Sequence, residues 1–360
     1  MEWSIMKNNR LMRLRKFLLD KNAEAVIISK NENVHYFSGF YGDDSALVIT
    51  MDKQYLLTDS RYMEQAKEQS RFTVLEQKSG LLNKIKETLL GENIRRTAFE
   101  SNVLVYDSFT ALQKMLPEIT AWIPVILDGL RVQKDEEELE LIKKAVAISD
   151  KAFEHIIDFI KPGISEIAIA AELENTMRKL GSERPAFTTI VASGKRGSLP
   201  HGVATEKLIL AGEFVTMDFG AVYKGYHSDI TRTVCVGRAD PEKKKLYDIV
   251  LKAHLMGIKS IEINKDGKSI DAPSRQYISD MGYGSNYGHG LGHGVGLEIH
   301  ELPRLSPMAG DIIFKPDMLI TVEPGIYIPG FGGVRIEDTV LVKEAGAEPL
   351  TKSRKDLIEL

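Results

Sequence analysis

Acidic side chains stand in the middle of the most strand-like stretches of the second half of the chain, and that placement restricts the fold more than any other feature. Phe214–Tyr223 (FVTMDFGAVY) alternates Val215, Met217 and Phe219 with Thr216, Asp218 and Gly220. The next run, Tyr226–Val236, has strand character and carries Asp229. A tight turn at Lys224-Gly225 makes even positions of the first strand face the same way as odd positions of the second, so Asp218 and Asp229 share a face, opposite or diagonal. Like charges that close destabilise a ladder unless a cation joins them or one acid keeps its proton. The arrangement recurs: Leu319–Ile328 (LITVEPGIYI) contains Glu323, and after a turn at Pro329–Gly333, Val334–Val342 (VRIEDTVLV) contains Glu337. One such acid alone reads as a surface residue or a salt-bridge partner. Four, on two strand pairs, point to a shared cation site, because an isolated buried carboxylate is costly unless paired or ligated.

Between the two pairs lies Gly288–Pro303 (GHGLGHGVGLEIHELP), with His289, His293 and His300 among few other polar side chains. A spacing of four would put His289 and His293 on one helical face as metal ligands. Gly290, Gly292, Gly294 and Gly296 oppose a helix, and Gly290 stands where a zincin has its glutamate, so extended or looped backbone in close approach to something is expected. Four carboxylates and one neutral imidazole balance two divalent cations, and this oxygen-rich set suits Mn²⁺, Co²⁺ or Fe²⁺ at least as well as Zn²⁺. Such a pair can hold water as a bridging hydroxide, a nucleophile at neutral pH.

The rest of the chain supplies the frame. Its 360 residues are enough for two domains. A net charge of −4 gives no electrostatic reason for nucleic acid or an anionic membrane as partner, and neither is expected. The single cysteine, Cys235, excludes an intrachain disulfide framework and fits a reducing compartment. No apolar segment has the length of a membrane span, and Arg13, Arg15 and Lys16 interrupt what would have to be a signal core, so a cytoplasmic location is expected. Strand-like Ala25–Ser29, Ala46–Thr50, Gln54–Thr58, Phe72–Leu75 and Arg96–Phe99 alternate with helix-like Arg61–Gln69, Leu81–Leu90 and Ser108–Leu116, which predicts an α/β layer. A polar stretch at Leu127–Glu138 marks the boundary between domains 1–126 and 127–360. Beyond it come an amphipathic helix over Glu136–Lys161, a helix capped by Ser165 and ended by Gly181, and a third opened by Asp240-Pro241. With the strand pairs, these predict an α+β second domain of mainly antiparallel strands.

The ordered set Asp218 in MDFG, Asp229 in SDITRT, His293 in GHGLGHGVG, Glu323 in VEPG and Glu337 in RIEDT resembles the dinuclear metallopeptidases of the pita-bread fold. The resemblance covers essentially the whole second domain. NVHYFSGF at Asn33–Phe40, LLTDSRY at Leu56–Tyr62 and EPGIYIPGFGGVRIED at Glu323–Asp338 make the chain similar to the Xaa-Pro branch, aminopeptidase P and prolidase. It implies an α+β protein: a C-terminal pita-bread catalytic domain behind a smaller α/β creatinase-like N-terminal domain. It implies two divalent ions, Mn²⁺ or Co²⁺ ahead of Zn²⁺ or Fe²⁺, with Asp218 on one, His293 and Glu323 on the other, and Asp229 and Glu337 bridging. His201 (in SLPHG), His289, His300, Glu323 and Arg335 take substrate-contacting or proton-handling roles by the same likeness. The implied activity is that of an Xaa-Pro aminopeptidase, attack of a metal-bridging hydroxide on the bond between an N-terminal residue and a following proline, in short proline-containing peptides. An Xaa-Pro dipeptidase with the same site is the alternative, a non-catalytic peptide-binding protein on the same fold is a weaker one, and a homodimer is the family's common form. His155, His227 and His254 match no such role and are assigned to structure.

Overall fold

The computed structural model describes residues 2–360, with side chains from Asn9 onward. The chain forms two compact units, the first ending at Arg131 and the second running Val132–Leu360. The first unit is built on a mixed six-stranded sheet. Its strands are β1 (Ala25–Ile28), β2 (Ala46–Thr50), β3 (Gln54–Thr58), β4 (Thr73–Glu76), β5 (Arg96–Glu100) and β6 (Ala121–Val125), in the order β4-β3-β2-β1-β5-β6. β2 and β3 form the hairpin expected around Asp52-Lys53, where Thr50 Oγ1 accepts the Lys53 amide at 2.9 Å. Helices α1 (Glu2–Asp20), α2 (Asn31–Ser38), α3 (Met63–Gln69), α4 (Leu81–Gly91) and α5 (Tyr106–Met115) accompany the sheet, and Ile85, Leu89 and Leu112 pack with Ile27, Val48 and Phe99. The NVHYF motif lies on α2. Its Asn33 is bonded to the buried carboxylate of Glu100, which also accepts the Ser29 and Lys30 amides at 2.7 and 2.8 Å.

The second unit is α+β. Its helices are α6 (Glu136–Phe159), α7 (Glu166–Lys179), α8 (Pro241–Ser260) and α9 (Gly267–Asp280). Asp135 and Glu138 form a capping box at α6, Ser165 caps α7, and Asp240 caps α8 with Pro241 in the first turn. Helix α9 was not expected, since Gly267 opens it and Pro273 interrupts it.

Two antiparallel ribbons carry the acids. The first consists of β8 (Phe214–Phe219) with β11 (Ile230–Cys235), flanked by β7 (Ile190–Ser193) and prolonged by the short pair β9 (Val222–Tyr223) and β10 (Tyr226–His227). Lys224 and Gly225 both have positive φ, 47° and 80°, the geometry of a type I′ turn. One register runs through the whole ribbon, pairing Tyr223 with Tyr226 and Asp218 with Thr231. Asp229 therefore lies diagonal to Asp218, in the break between the two ladders. In the second ribbon β14 (Leu319–Val322) pairs with β17 (Asp338–Lys343), and β15 (Gly325–Ile328) with β16 (Gly332–Arg335). Val322 faces Asp338 and Gly325 faces Arg335, so Glu323 and Glu337 oppose each other across the break between these ladders. Strands β12 (Gly292–Gly294) and β13 (Glu301–Leu305) extend this sheet, as the glycine spacing required, with β18 (Gly346–Pro349) at the other edge.

A Cβ on Gly292 would lie 2.0 Å from the carbonyl oxygen of Thr321, and one on Gly220 would lie 1.9 Å from that of Ser228. Both contacts are backbone against backbone and cannot be relieved by a rotamer change. Gly292→Ala is expected to lower the stability of the second unit by about 3 kcal/mol, read as a shift of its urea midpoint against the parent protein. An unchanged midpoint would mean that β12 and β14 do not approach this closely.

Candidate metal centre

The two ribbon breaks and β12 bring the predicted acids and His293 together. Ligating atoms of Asp229, His293 and Glu337 all lie within 4.8 Å of one another. His293 Nε2 is 3.6 Å from Asp229 Oδ2 and 3.3 Å from Glu323 Oε1. Asp218 joins the same cluster from β8, where Arg335 holds its Oδ2 at 2.6 Å. His300 follows in the loop after β12, with its ring centroid 4.4 Å from that of His293. His289 precedes β12, and His201 sits exposed on the loop after β7. His201 is close enough to His289 and His300 for its charge to disfavour theirs. Every residue singled out in the sequence thus lies in or beside one cluster.

Hydrogen bonds between the ribbons fix its geometry. Thr231 Oγ1 donates to Glu337 Oε2 at 2.6 Å, and the Glu337 amide donates to the Thr231 carbonyl at 3.1 Å. Thr339 Oγ1 reaches the Asp229 carbonyl at 2.9 Å. Thr321 Oγ1 accepts the His293 amide and donates to Glu323 Oε1 at 3.2 Å. Beneath the acids, Asp338 is fully buried and paired with Arg232, His254 and Lys355, while His254 also meets the Val322 carbonyl. Burial works to raise the Asp338 pKa, but the hydrogen bond and charge of His254 and the charges of Arg232 and Lys355 outweigh it and hold it below the usual carboxylate range. His254 and His227, the latter bonded to the Gly296 carbonyl, are structural; His155 pairs with Glu172 on the surface.

Several contributors lay outside the sequence reading. Tyr327, buried on β15, accepts from Arg335 Nη1 at 2.9 Å and lies 2.8 Å from His289 Nε2. The His289 Nδ1 faces the Gly290 carbonyl at 2.7 Å, which can only accept, so Nε2 accepts the Tyr327 hydroxyl proton. On α9, Asp271 and Arg275 form a bidentate pair one turn apart. Arg275 donates to the carbonyls of Tyr287 and His289, and Asp271 accepts the Leu291 amide at 3.0 Å, so α9 holds the backbone on both sides of His289. Tyr327 shares the odd parity of Glu323 along its ribbon, a signal that strand alternation carries. Nothing in the sequence assigned Asp271 and Arg275, because α9 itself was not recognised.

The electrostatics fit a cation. Burial, then the neighbouring acids, raise the Asp229 and Glu337 carboxyls well above their ordinary range, and burial pushes Glu323 up to about 8. Burial, reinforced by His300, lowers His293 to about 4, leaving a neutral imidazole. Its Nδ1 lies 2.9 Å from the Gly294 carbonyl, which places the proton there and turns Nε2, the ligating nitrogen, toward the acids. Asp218 Oδ1 and Glu337 Oε1 are buried and have no hydrogen-bond donor among the described residues. Carboxylate oxygens left without donors and acids driven to hold protons are what a divalent ion would satisfy.

The comparisons with known proteins agree with this geometry. Residues 140–344 match the model of metallopeptidase family M24, and residues 10–133 match the creatinase/prolidase N-terminal domain. The chain belongs to metallopeptidase family M24, is an enzyme of that family's divalent-metal type, and has its α+β catalytic domain behind a smaller α/β creatinase-like one. It is 40% identical over 350 residues to the Xaa-Pro dipeptidase of Pyrococcus furiosus, covering 97% of this chain and 99% of that protein. Among solved structures, the Xaa-Pro dipeptidase from Bacillus anthracis superposes with a TM-score of 0.94 at 42% identity, over 98% of this chain and 100% of that one. The X-Pro aminopeptidase from Thermotoga maritima gives 0.91 at 38%, with the same coverage.

The raised carboxyl pKa values set a pH dependence for the metal-free protein. An unfolded glutamate loses its proton near pH 4.3, whereas folded Glu323 keeps its own up to about 8. That contribution to stability is full below the unfolded pKa and is lost as pH rises through the folded one. From about pH 7, where an unfolded histidine has largely lost its proton, toward 8, stability should fall by up to about 1.4 kcal/mol per pH unit for each proton retained. Bound Mn²⁺ replaces those protons and should flatten the slope. Urea unfolding across this range with chelator and with Mn²⁺ checks it, and equal slopes would count against the cluster as a metal site.

Proposed function

We propose that this chain is a metal-dependent Xaa-Pro exopeptidase, and specifically an Xaa-Pro dipeptidase. The observation that carries the reading is the meeting of four acids, Asp229 and Glu337 buried and Asp218 and Glu323 half-buried, with a neutral, correctly turned His293 in a member of a metallopeptidase family. Preference for proline is supported by what the relatives are named, since carboxylates and imidazoles do not select a cyclic side chain. Two of the three relatives described above are dipeptidases and one is an aminopeptidase, so Xaa-Pro aminopeptidase remains the second reading.

In this reading Asp218, Asp229, His293, Glu323 and Glu337 would hold the two divalent ions. When bound, such ions make water a nucleophile at neutral pH and polarise the scissile carbonyl. Glu323 then moves the proton, taking it from the attacking water and giving it to the departing proline nitrogen. Cations beside it would bring its high pKa down toward neutrality, where a general base works best. His300, on the open side of His293, donates to the oxygen on which negative charge develops. His201 and His289 orient the peptide, His289 with the face of its ring because both its nitrogens are bonded already. Arg335 pairs with Asp218 and aims it at the centre. The oxygen-rich ligand set favours Mn²⁺ or Co²⁺ over Zn²⁺ or Fe²⁺. No helix among the described residues is long and apolar enough to cross a membrane. We place the enzyme in the cytoplasm as a homodimer acting on short peptides, with no nucleic-acid or membrane partner and with the chemistry in residues 127–360.

Protein stripped of metal and reloaded with Mn²⁺, Co²⁺ or Zn²⁺ should release the N-terminal residue from an Xaa-Pro dipeptide and, far more slowly, from Xaa-Pro-Yaa. Asp229→Ala should lower kcat by about a thousandfold in a protein that stays folded. Faster cleavage of the tripeptide would select the aminopeptidase reading, and full activity of Asp229→Ala would overturn both.

A further inference from the structure

Glu166 opens α7, yet its carboxylate serves another element. The helix is capped by Ser165, whose Oγ accepts the Ala168 amide. The side chain of Glu166 is wholly buried and accepts five hydrogen bonds, all from the segment Ser193–Lys207 that carries His201. Oε1 takes the amide and hydroxyl of Ser193, each at 2.8 Å. Oε2 takes Arg196 Nη1 at 2.8 Å, the Thr205 hydroxyl at 2.7 Å and the Thr205 amide at 3.2 Å. One carboxylate thus joins the start, the first turn and the end of the loop. Arg196 extends the tie by donating to the Val203 carbonyl at 2.9 Å, and Lys207 returns from the far stem to Ser193 Oγ at 2.8 Å.

The loop is also seated on the second ribbon. A Cβ on Gly333 would lie 2.2 Å from the Gly197 carbonyl oxygen, and one on Gly332 would lie 2.7 Å from that of Gly194. Those glycines begin β16, which ends at Arg335. His201 is therefore exposed at its own tip while the stems that carry it are fixed, one side on α7 and the other on the ribbon that bears Arg335. A group that orients substrate helps only where it is held in place, and a surface loop is more mobile than the elements it joins.

We infer that Glu166 is a positioning residue for His201: by holding both stems of the Ser193–Lys207 loop, it sets the affinity for peptide while touching neither peptide nor metal ligand. The inference rests on the substrate-orienting role of His201 proposed above. It separates Glu166 from a general stabiliser of the fold, whose loss would lower metal binding and turnover together.

The test uses full-length, Mn²⁺-loaded enzyme and an Xaa-Pro dipeptide. Glu166→Ala should raise KM about tenfold, leave kcat within about threefold, and leave Mn²⁺ affinity, measured by calorimetry without peptide, unchanged. Tryptic cleavage after Lys195 and Arg196 should accelerate in the same protein. Glu166→Gln, which keeps one acceptor oxygen, should fall between it and the parent. Should Glu166→Ala fail to fold, Arg196→Gln with Thr205→Val removes the two side-chain donors to Oε2, leaving the Thr205 amide and the donors to Oε1 in place, and should show the same pattern in smaller measure. In the double variant Glu166→Ala/His201→Ala, KM should be no higher than in His201→Ala alone. A KM increase that adds in full to that of His201→Ala, or one matched by weaker Mn²⁺ binding, overturns the positioning role and leaves that of His201 standing. A His201→Ala enzyme with normal KM overturns both.

Discussion

The structure depends on forcing like charges together in a place largely withdrawn from water. Asp229 and Glu337 are almost entirely buried, and Asp218 and Glu323 are mostly so. Each would be unfavourable there alone, and in company their repulsion adds to the cost of desolvation. The fold offsets this with donors. Thr231, Thr321 and Arg335 each give a hydrogen bond to one of the acids, and Thr233 and Thr339 tie the two ribbons' backbones to each other. A deeper layer does the same for the ribbon itself. Arg232 and Lys355 bracket Asp338, so the residue next to Glu337 is held by charges outside the cluster. Arg335 cancels one of the four negative charges, a contribution that counting carboxylates and one imidazole leaves out. With two divalent ions the site would then be net positive, the sign that attracts a developing oxyanion.

The breaks in the ribbons follow from the same demand. A continuous ladder would commit every backbone group to the sheet and leave the side chains in its pleated rows. At Gly220–Asp229 and at Glu323–Glu337 the pairing lapses without a change of register, so Asp229, Glu323 and Glu337 lie outside the ladders and converge on Asp218, which stays paired in β8. The Glu323 amide, released from its own ladder, finds the Leu291 carbonyl at 2.8 Å, which draws the histidine strand alongside. Gly220 and Gly292 stand where this approach leaves no room for a side chain.

What could be read from the sequence was what strand periodicity and turn chemistry specify locally. The Lys224-Gly225 turn fixes parity, and parity alone put Asp218 and Asp229 on one face; the two ladders keep that register to their ends. The hairpin around Asp52-Lys53, the amphipathic α6 and the capped starts of α7 and α8 were legible for the same reason. Elements whose formation rests on tertiary partners were not. Helix α2 has no side-chain cap, and the Glu100 carboxylate that receives the amides just before it comes from a strand far along the chain. Helix α9 opens on a glycine and contains a proline, and it is held through the Asp271–Arg275 pair and the backbone around His289. The roles of Asp271, Arg275 and Tyr327 were hidden accordingly, since their partners lie on elements that only the folded chain brings near.

The site divides its labour by rigidity. The acids and His293 belong to strands or strand breaks, where backbone pairing on both sides leaves them little freedom. His201 and His300 sit on loops, and His289 on a segment held from outside by α9. A metal centre tolerates small errors of ligand position poorly, because a divalent ion holds several oxygens at once within narrow distances. Peptide binding tolerates more and varies with the substrate, so it is better assigned to loops whose posture a few buried ties can set. The Glu166 carboxylate and the Asp271–Arg275 pair are such ties, each with its carboxylate buried and spent on backbone and loop groups away from the acid cluster. Changing what a tie holds would alter the posture of the loops and leave the acids where they are.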